Sequence, residues 1–135
     1  MIVFDENDHQ QSLMEAVAAW YRGQVVSITT LRLGTIIKDE AIPTLLQQAK
    51  QPTFVTTNVF DFWRRVSAHP RYCIVCFPLP NERLSEIPNR LRRLFHLPEF
   101  KTKAARMGKA VLAGRQQIQY YEIGSRRICT LRWPA

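Results

Sequence analysis

The stretch YCIVCF, residues 72–77, restricts the fold of this chain more than any other segment. The run is apolar throughout, and the segment PLP closes it. A strand with one face in water alternates between apolar and polar residues, so an uninterrupted apolar run predicts a strand covered on both faces, as in the centre of a parallel sheet. The run therefore favours an α/β fold.

The rest of the chain alternates between short apolar runs and helical patterns. The runs MIVF, QVVSI and TFVTT predict strands at residues 1–4, 24–28 and 53–57. One helix is predicted between a cap at Asn7 or Asp8 and Gly23, a second over residues 39–49, and helical structure over 81–95 with Pro88 as a break or a new start. Residues 29–38 are predicted as a connecting loop. This order is typical of a parallel sheet with helical crossovers.

The C-terminal part has a different pattern. QIQYYEI and RRICTLRW alternate in polarity on either side of Gly124-Ser125, which predicts a β-hairpin within residues 116–133. With 135 residues, 46% of them hydrophobic, the chain has the size and core of one domain. An apolar run long enough to span a membrane is lacking, the start carries no cationic leader, and the three cysteines form no disulfide framework. These features predict a cytoplasmic protein.

Charge divides the chain into two regions. Residues 1–61 carry four Lys and Arg against seven acids, a net charge of −3, whereas residues 62–135 carry 15 against four, a net charge of +11. Lys and Arg neutralise phosphates and release counterions, so a basic region favours a polyanionic partner. The alternative is a solvated surface that serves solubility. An acidic region beside a basic one would suit a metal-holding centre with a phosphate-holding rim.

Acidic residues follow or precede the predicted strands at one edge of the sheet. Asp5 and Glu6 follow the first strand, Asp39 and Glu40 open the helix before the third, and Asp61 lies in a predicted loop after the third. Ligands of open parallel sheets bind beyond the carboxyl ends of the strands, so these acids are expected to meet there. Crowded carboxylates repel each other unless a cation holds them, and their hard oxygens favour Mg²⁺ or Mn²⁺. Such an ion can activate water and assist phosphodiester displacement.

Each acid also has a structural alternative. Asp39 and Glu40 suit the start of a helix, and Asp61 can accept hydrogen bonds from loop amides. Asp5 is the hardest to explain in this way, because a carboxylate that leaves a buried strand has no capping role there.

The motifs VFDEN, KDEAIPTLLQQA and VTTNVFDF, in this order, resemble those of the PIN-domain ribonucleases, a family that includes VapC-type toxins of toxin–antitoxin pairs. In particular, the motifs resemble a shortened PIN-like group with a Leu-Asp-Glu-Asn-type strand end, an Asp with Ile and Ala downstream on one helix, and a Thr-x-x-x-x-Asp-Phe segment. The closing segment YYEIGSRRICTLRWP is similar to that group's final hairpin. The resemblance implies a PIN-like three-layer α/β/α fold with a short central parallel sheet and a C-terminal hairpin.

The resemblance assigns roles to individual residues. Asp5, Asp39 and Asp61 match the catalytic metal-binding acids, with Glu6 and Glu40 as further candidate ligands. Asn58 matches a flanking polar position that would contact substrate, and Thr56 or Thr57 matches the Thr that precedes the last acid. The chain departs from the pattern at Val59, where many relatives carry a further Asp. A helix Glu of the larger family also has no counterpart except Glu40, and fewer ligands mean weaker metal binding.

Basic residues supply candidate substrate contacts. Arg64 and Arg65 follow the predicted metal loop directly, and Arg92 and Arg93 lie on a predicted helix. Such residues bind phosphates without regard to base sequence. The alternative is a solvated helix face. Tyr120 and Tyr121 are candidates for stacking on bases, although one of two successive strand residues is expected to face the core.

Other motifs are weaker. Cys73 and Cys76 lie three apart in a strand and therefore point to opposite faces, which argues for core packing rather than a zinc or redox pair. The histidines lack ligand spacing, and no serine has a visible base partner.

The sequence thus predicts one PIN-like domain over residues 1–135. Its expected activity is metal-dependent endoribonuclease, as the toxin of a toxin–antitoxin pair. The expected partners are RNA and a small antitoxin protein, with a homodimer also allowed and no membrane. The rival interpretation is a PIN-like module that binds RNA or a protein partner and has lost its metal.

Overall fold

A computed structural model describes residues 1–6, 10–31 and 37–134 of the chain. Its centre is a sheet of seven strands in the order β2-β1-β3-β4-β5-β6-β7. The strands are β1 (Ile2–Phe4), β2 (Val25–Ser27), β3 (Thr53–Thr56), β4 (Cys73–Cys76), β5 (Lys109–Ala113), β6 (Gln117–Glu122) and β7 (Cys129–Arg132). The first five run parallel, and β6 and β7 continue the sheet antiparallel. The protein is therefore a mixed α/β fold with a mostly parallel sheet.

Helices connect the parallel strands. They are α1 (Gln10–Ala18), α2 (Ile42–Gln48), α3 (Val59–Phe62), α4 (Ile87–Leu94) and α5 (Lys103–Arg106). Short 3₁₀ turns lie at Ile28–Leu31, Asp39–Ala41, Asn81–Glu86 and Pro98–Phe100. Proline stands in the first turn of both α2 and α4, where its missing N–H leaves no helical bond unmade. Within the described residues, no helix is long and apolar enough to cross a bilayer.

The sheet has a hydrophobic cluster on each face. In β1, Ile2 and Phe4 belong to one cluster with α1 and α4, whereas Val3 belongs to the other with α2 and α3. Cys73 and Cys76 follow the same rule, since each lies in a different cluster. Their predicted positions on opposite faces are confirmed, and both are free thiols. The sheet thus lies between two helical layers.

The strand order places a topological switch point at the carboxyl ends of β1 and β3. The chain leaves β1 for β2 on one side and returns to β3 on the other side of β1. α1 and α2 cover opposite faces, so the two connections diverge from this point. In open α/β sheets such a switch point is where ligands bind.

Four predicted strands, the hairpin and the helices at 39–49 and 81–95 are confirmed in place. The sequence missed β5, so the parallel sheet is larger than predicted and the hairpin extends that sheet. The prediction of a loop around Asp61 is wrong, because Val59–Phe62 form the helical turn α3. α1 ends at Ala18 rather than near Gly23. The predicted caps at Asn7 and Asp8, and the loop glycine Gly34, lie outside the described residues.

Candidate functional site

Asp5 leaves the carboxyl end of β1 and turns towards β3. Its backbone N–H donates to the carbonyl of Val55 over 3.0 Å, which extends the β1–β3 pairing by one residue. The carboxylate accepts a hydrogen bond from Thr56 Oγ1 at 2.7 Å through Oδ2 and one from the N–H of Glu6 at 2.9 Å through Oδ1. Burial raises the pKa of Asp5, and the bonds from Thr56 and Glu6 oppose that rise.

Asn58 organises the segment after β3. Its side-chain oxygen accepts a hydrogen bond from the N–H of Asp61 at 3.2 Å and thereby caps α3. Its amide nitrogen Nδ2 donates to Asp61 Oδ2 at 2.8 Å and to Asp39 Oδ2 at 3.3 Å. Its backbone N–H donates to Thr56 Oγ1 at 3.0 Å. One asparagine therefore joins two of the three predicted acids, and Thr56 connects it to the third.

The acids interact electrostatically across this network. Burial raises the pKa of Asp39, and hydrogen bonding with Asp61 and the charges of Asp61 and Glu40 raise it further. The charge of Asp39 in turn helps to raise the pKa of Asp5. The structure thus brings Asp5, Asp39 and Asp61 to one edge of the sheet, where their negative charges oppose each other.

The chemistry of this donor set fits a hard divalent cation, since carboxylate oxygens are the ligands of Mg²⁺ and Mn²⁺. The positions of these side chains in the structure fit such an ion less well than their chemistry does. Asn58 Nδ2 donates to both Asp39 and Asp61. It therefore occupies the position between the two carboxylates where a cation would bind. Among the described residues, no group of three or more His, Cys, Asp or Glu side chains is placed to hold a metal ion. Glu6 and Glu40 are exposed beside the site.

Aromatic residues fix the turn that carries Asp61. Phe62 is fully buried and packs against Phe54, with ring centroids 5.2 Å apart. Trp63 packs against Tyr121 at 5.3 Å. Val59, where the sequence departs from the PIN-like motif, is partly buried and packs against the same cluster as Phe62. Its side chain therefore serves the core.

Arg64 and Arg65 lie exposed directly after α3. Arg64 has a φ of 69°, which turns the chain out of the helix, and its guanidinium lies 5.9 Å from the ring centre of Tyr121. The Arg65 guanidinium lies 4.1 Å above the ring of Phe60. Both cations thus stand close in sequence and in space to the segment that holds Asp61.

The basic pair on α4 has other contacts. Arg93 donates to the carbonyl of Pro134 at 2.9 Å, and its guanidinium lies 5.4 Å from the ring centre of Trp133. Arg92 is exposed and lines a cavity with Trp20 and Tyr21. These contacts give Arg93 a structural role in holding the C-terminal segment, and the substrate role of the pair stays a prediction.

Sequence reasoning missed Phe60. The Phe60 side chain is 71% exposed, which is unusual for a phenylalanine. The residue directly precedes Asp61. The sequence predicted a loop at this position, because four residues show no helical period, and a loop does not indicate where the Phe60 side chain points. Tyr120, by contrast, is buried, and Tyr121 donates its hydroxyl to the carbonyl of Val66 at 3.0 Å.

No family model, no curated protein and no solved structure matches this chain.

Proposed function

We propose that this protein is a PIN-like endoribonuclease that cleaves RNA with the help of Mg²⁺ or Mn²⁺. The observation that carries the proposal is the hydrogen-bonded chain from Asp5 through Thr56 and Asn58 to Asp39 and Asp61. It gathers three carboxylates at the switch point of the sheet, and the pKa values of two of them are raised. Such clusters of perturbed acids are typical of functional sites.

Each residue of the acidic site would have its own role. Asp5, Asp39 and Asp61 would hold the ion, with the exposed Glu6 and Glu40 as outer carboxylates. A divalent ion held by these residues would supply Lewis acidity for the activation of water and for the charge on the phosphate. Thr56 fixes the orientation of Asp5, and Asn58 fixes that of Asp61. If a cation took the place of Asn58 Nδ2 between Asp39 and Asp61, this amide would be released to donate to a phosphate oxygen.

The surroundings favour a single-stranded polyanion. Arg64 and Arg65 offer phosphate contacts beside Asp61, and Phe60 offers an exposed ring on which a base can stack. Stacking on aromatic rings tolerates any base, because every base has a π face. An unpaired RNA strand matches both contacts better than a duplex, whose bases are already stacked.

Cleavage of a fluorescent single-stranded RNA in Mn²⁺ tests the proposal. The wild type should cut the RNA in the presence of Mn²⁺ and not in EDTA, and Asp61→Asn should lose at least about a hundredfold in rate. Glu82→Gln is the matched control, since it removes an exposed acid from a different segment and should cleave normally. Cleavage that persists in EDTA, or that Asp61→Asn leaves unchanged, would contradict the assignment.

A second function has its own support. Asn58 Nδ2 already satisfies Asp39 and Asp61 without a metal, which favours a PIN-like module that binds RNA or a protein partner but does not cleave. That module would bind the same RNA equally well in EDTA and in Mn²⁺, and would leave it intact in both.

The toxin role rests on the resemblance of the sequence motifs. A toxin of this type should arrest growth when it is expressed alone, and a small antitoxin protein should relieve the arrest. The Asp61→Asn variant should then be harmless at equal expression. Harmful expression of that variant would separate the toxicity from the acidic site.

A further inference from the structure

A cavity of about 540 Å³ lies at the opposite end of the parallel strands from the acidic site. It is bordered by the ends of α1 and α4 and by the start of α5. Two contacts place it: the Met1 amino group lies 3.4 Å from Tyr21 Oη, and Arg106 Nε donates to Thr53 Oγ1 at 3.0 Å. Met1 precedes β1 and Thr53 opens β3, whereas Asp5 and Thr56 stand at the other ends of these strands.

The wall of this cavity is strongly cationic. Its charged residues are Arg22, Arg92, Lys101, Lys103 and Arg106. Among the described residues, no acidic side chain lines it. The C-terminal ends of α1 and α4 also face this region, and each helix end carries roughly half a negative charge. Five cations exceed that opposing charge several-fold, so the cavity attracts anions.

Arg106 lies at the base of the cavity and is only 2% exposed. Nη1 donates to the carbonyl of Phe100 at 2.9 Å, and the Tyr21 hydroxyl interacts with the guanidinium. In the part of the chain that the structure describes, no carboxylate forms an ion pair with Arg106. Burial lowers its pKa. A buried charge without a countercharge is costly, and a bound anion would supply one.

Aromatic rings form the other part of the wall. The ring centroids of Trp20 and Phe95 lie 6.0 Å apart and those of Trp20 and Tyr21 6.1 Å apart, both in edge-on geometry. The Arg106 guanidinium lies 4.0 Å from the ring centre of Phe95. The cavity therefore places planar apolar surface directly beside cationic groups, within the size range of small-molecule sites.

We propose that this cavity is a second binding site, which takes a nucleotide by its phosphate and its base. The phosphate would lie against Arg106, Arg22 and Lys103, and the base against Trp20 and Phe95. Free nucleotides and the phosphorylated end of an RNA chain share this chemistry. The site is separate from the acidic edge and does not depend on the proposed nuclease activity.

Calorimetry with adenosine 5′-monophosphate in EDTA tests the site. We expect one nucleotide per chain, bound at least about tenfold more tightly than inorganic phosphate or adenosine alone, since each of these lacks one half of the contacts. Equal affinity for the nucleotide and for phosphate would overturn the base contact. A lack of measurable binding at millimolar nucleotide would overturn the site.

Paired variants locate the binding. Arg22→Ala with Lys103→Ala removes two exposed cations of the cavity and should weaken nucleotide binding at least about tenfold. Lys38→Ala with Arg115→Ala removes the same charge from exposed positions at the acidic edge and should leave the affinity unchanged. An equal loss in both pairs would mean a general charge effect and would overturn the proposal.

Two further measurements complete the test. Nucleotide binding should change tryptophan fluorescence in the wild type, and this change should disappear in Trp20→Phe. A persistent change in that variant would overturn the assignment of the base to Trp20. A short RNA with a 5′-phosphate that displaces the nucleotide, where the 5′-hydroxyl RNA does not, would identify a strand end as the source. Displacement by neither RNA would identify a free nucleotide.

Discussion

Thr56 Oγ1 donates a 2.7 Å hydrogen bond to Asp5 Oδ2, although the two residues lie 51 positions apart in the chain. The same hydroxyl accepts the N–H of Asn58 at 3.0 Å. A single buried side chain thus connects the end of β1 to the start of α3. Thr56 bonds directly to Asp5, and through Asn58 it is linked to Asp39 and Asp61.

Thr56→Val should destabilise the fold by about 1–3 kcal/mol, because it keeps the shape of the side chain but leaves two polar groups without their partner. It should also raise the pKa of Asp5 further, since the Thr56 bond opposes that rise. Denaturant unfolding measures the loss. Thr56→Ser retains the hydroxyl and should lose less; equal losses in both variants would show that the methyl group matters and the hydroxyl does not.

Asp5→Asn should remove a pH dependence of stability. The folded-state pKa of Asp5 is raised above its ordinary value of 3.8, so the folded protein binds the proton more strongly and stability falls as pH rises from that value to the folded-state pKa. The variant should be at least as stable as the wild type at neutral pH, and thermal unfolding between pH 3 and 8 should show a flatter profile.

The same variant should lose Mn²⁺ binding in calorimetry if the acidic site holds the ion. Glu15→Gln serves as the control, because this exposed acid lies on α1, away from the network. Unchanged Mn²⁺ affinity in Asp5→Asn would refute the ligand assignment.

Asn58→Asp should strengthen Mn²⁺ binding. Aspartate caps a helix as well as asparagine does, so α3 is retained, while a further carboxylate joins Asp39 and Asp61. Without metal the added repulsion should lower the melting temperature, and Mn²⁺ should restore it. Val59→Asp is the informative comparison, because Val59 packs into the core and an acid there should destabilise without improving metal affinity.

Phe60→Ala should weaken RNA binding by about 1–3 kcal/mol, the range for a base stacked on an aromatic ring, and leave the melting temperature nearly unchanged. The exposure of this side chain means that the fold gains little from it. Ile123→Ala is the matched control, since Ile123 is the other large exposed apolar residue of the described chain. Equal RNA affinity in wild type and Phe60→Ala would exclude the stacking role.

Arg64→Ala with Arg65→Ala should reduce the salt dependence of RNA binding. Each phosphate contact with a single strand contributes roughly 0.7 to the slope of log affinity against log salt, so losing both contacts lowers the slope by about 1.4. The effect should be independent of RNA sequence. Binding across a salt series in EDTA measures it. With RNA that carries a 5′-hydroxyl, Arg92→Ala should lower the slope less than the Arg64 and Arg65 pair does, and the reverse pattern would move the RNA path to α4.

The parts of the fold that depend on local pattern were predictable. The apolar run at 72–77 became the central strand β4, and the alternation around Gly124 became β6 and β7. β5 was missed because Lys109, at its start, continues a basic segment and masks the short apolar run. α3 was missed because four residues show no helical period.

The acids of the site, and the edge of the sheet where they lie, were expected from the sequence. Their connection was not, because the bond from Thr56 to Asp5 depends on β3 lying beside β1, and local pattern does not give the strand order. The role of Asn58 depends on its hydrogen bond to Asp39, 19 positions away, which no local spacing reveals. The hydrogen bond from Arg93 to Pro134 spans 41 positions and could not be predicted from the sequence either.

The C-terminal segment has a consequence for self-association. β7 is an outer strand of the sheet, its exposed positions carry Thr130 and Arg132, and Arg93 and Trp133 hold the chain that follows. The other outer strand, β2, has three residues. The charge of Arg132, the proline at position 134 and the short length of β2 each oppose the addition of a further strand from another molecule. Continuous sheets across molecules, the first step towards fibrils, are therefore disfavoured at both outer strands.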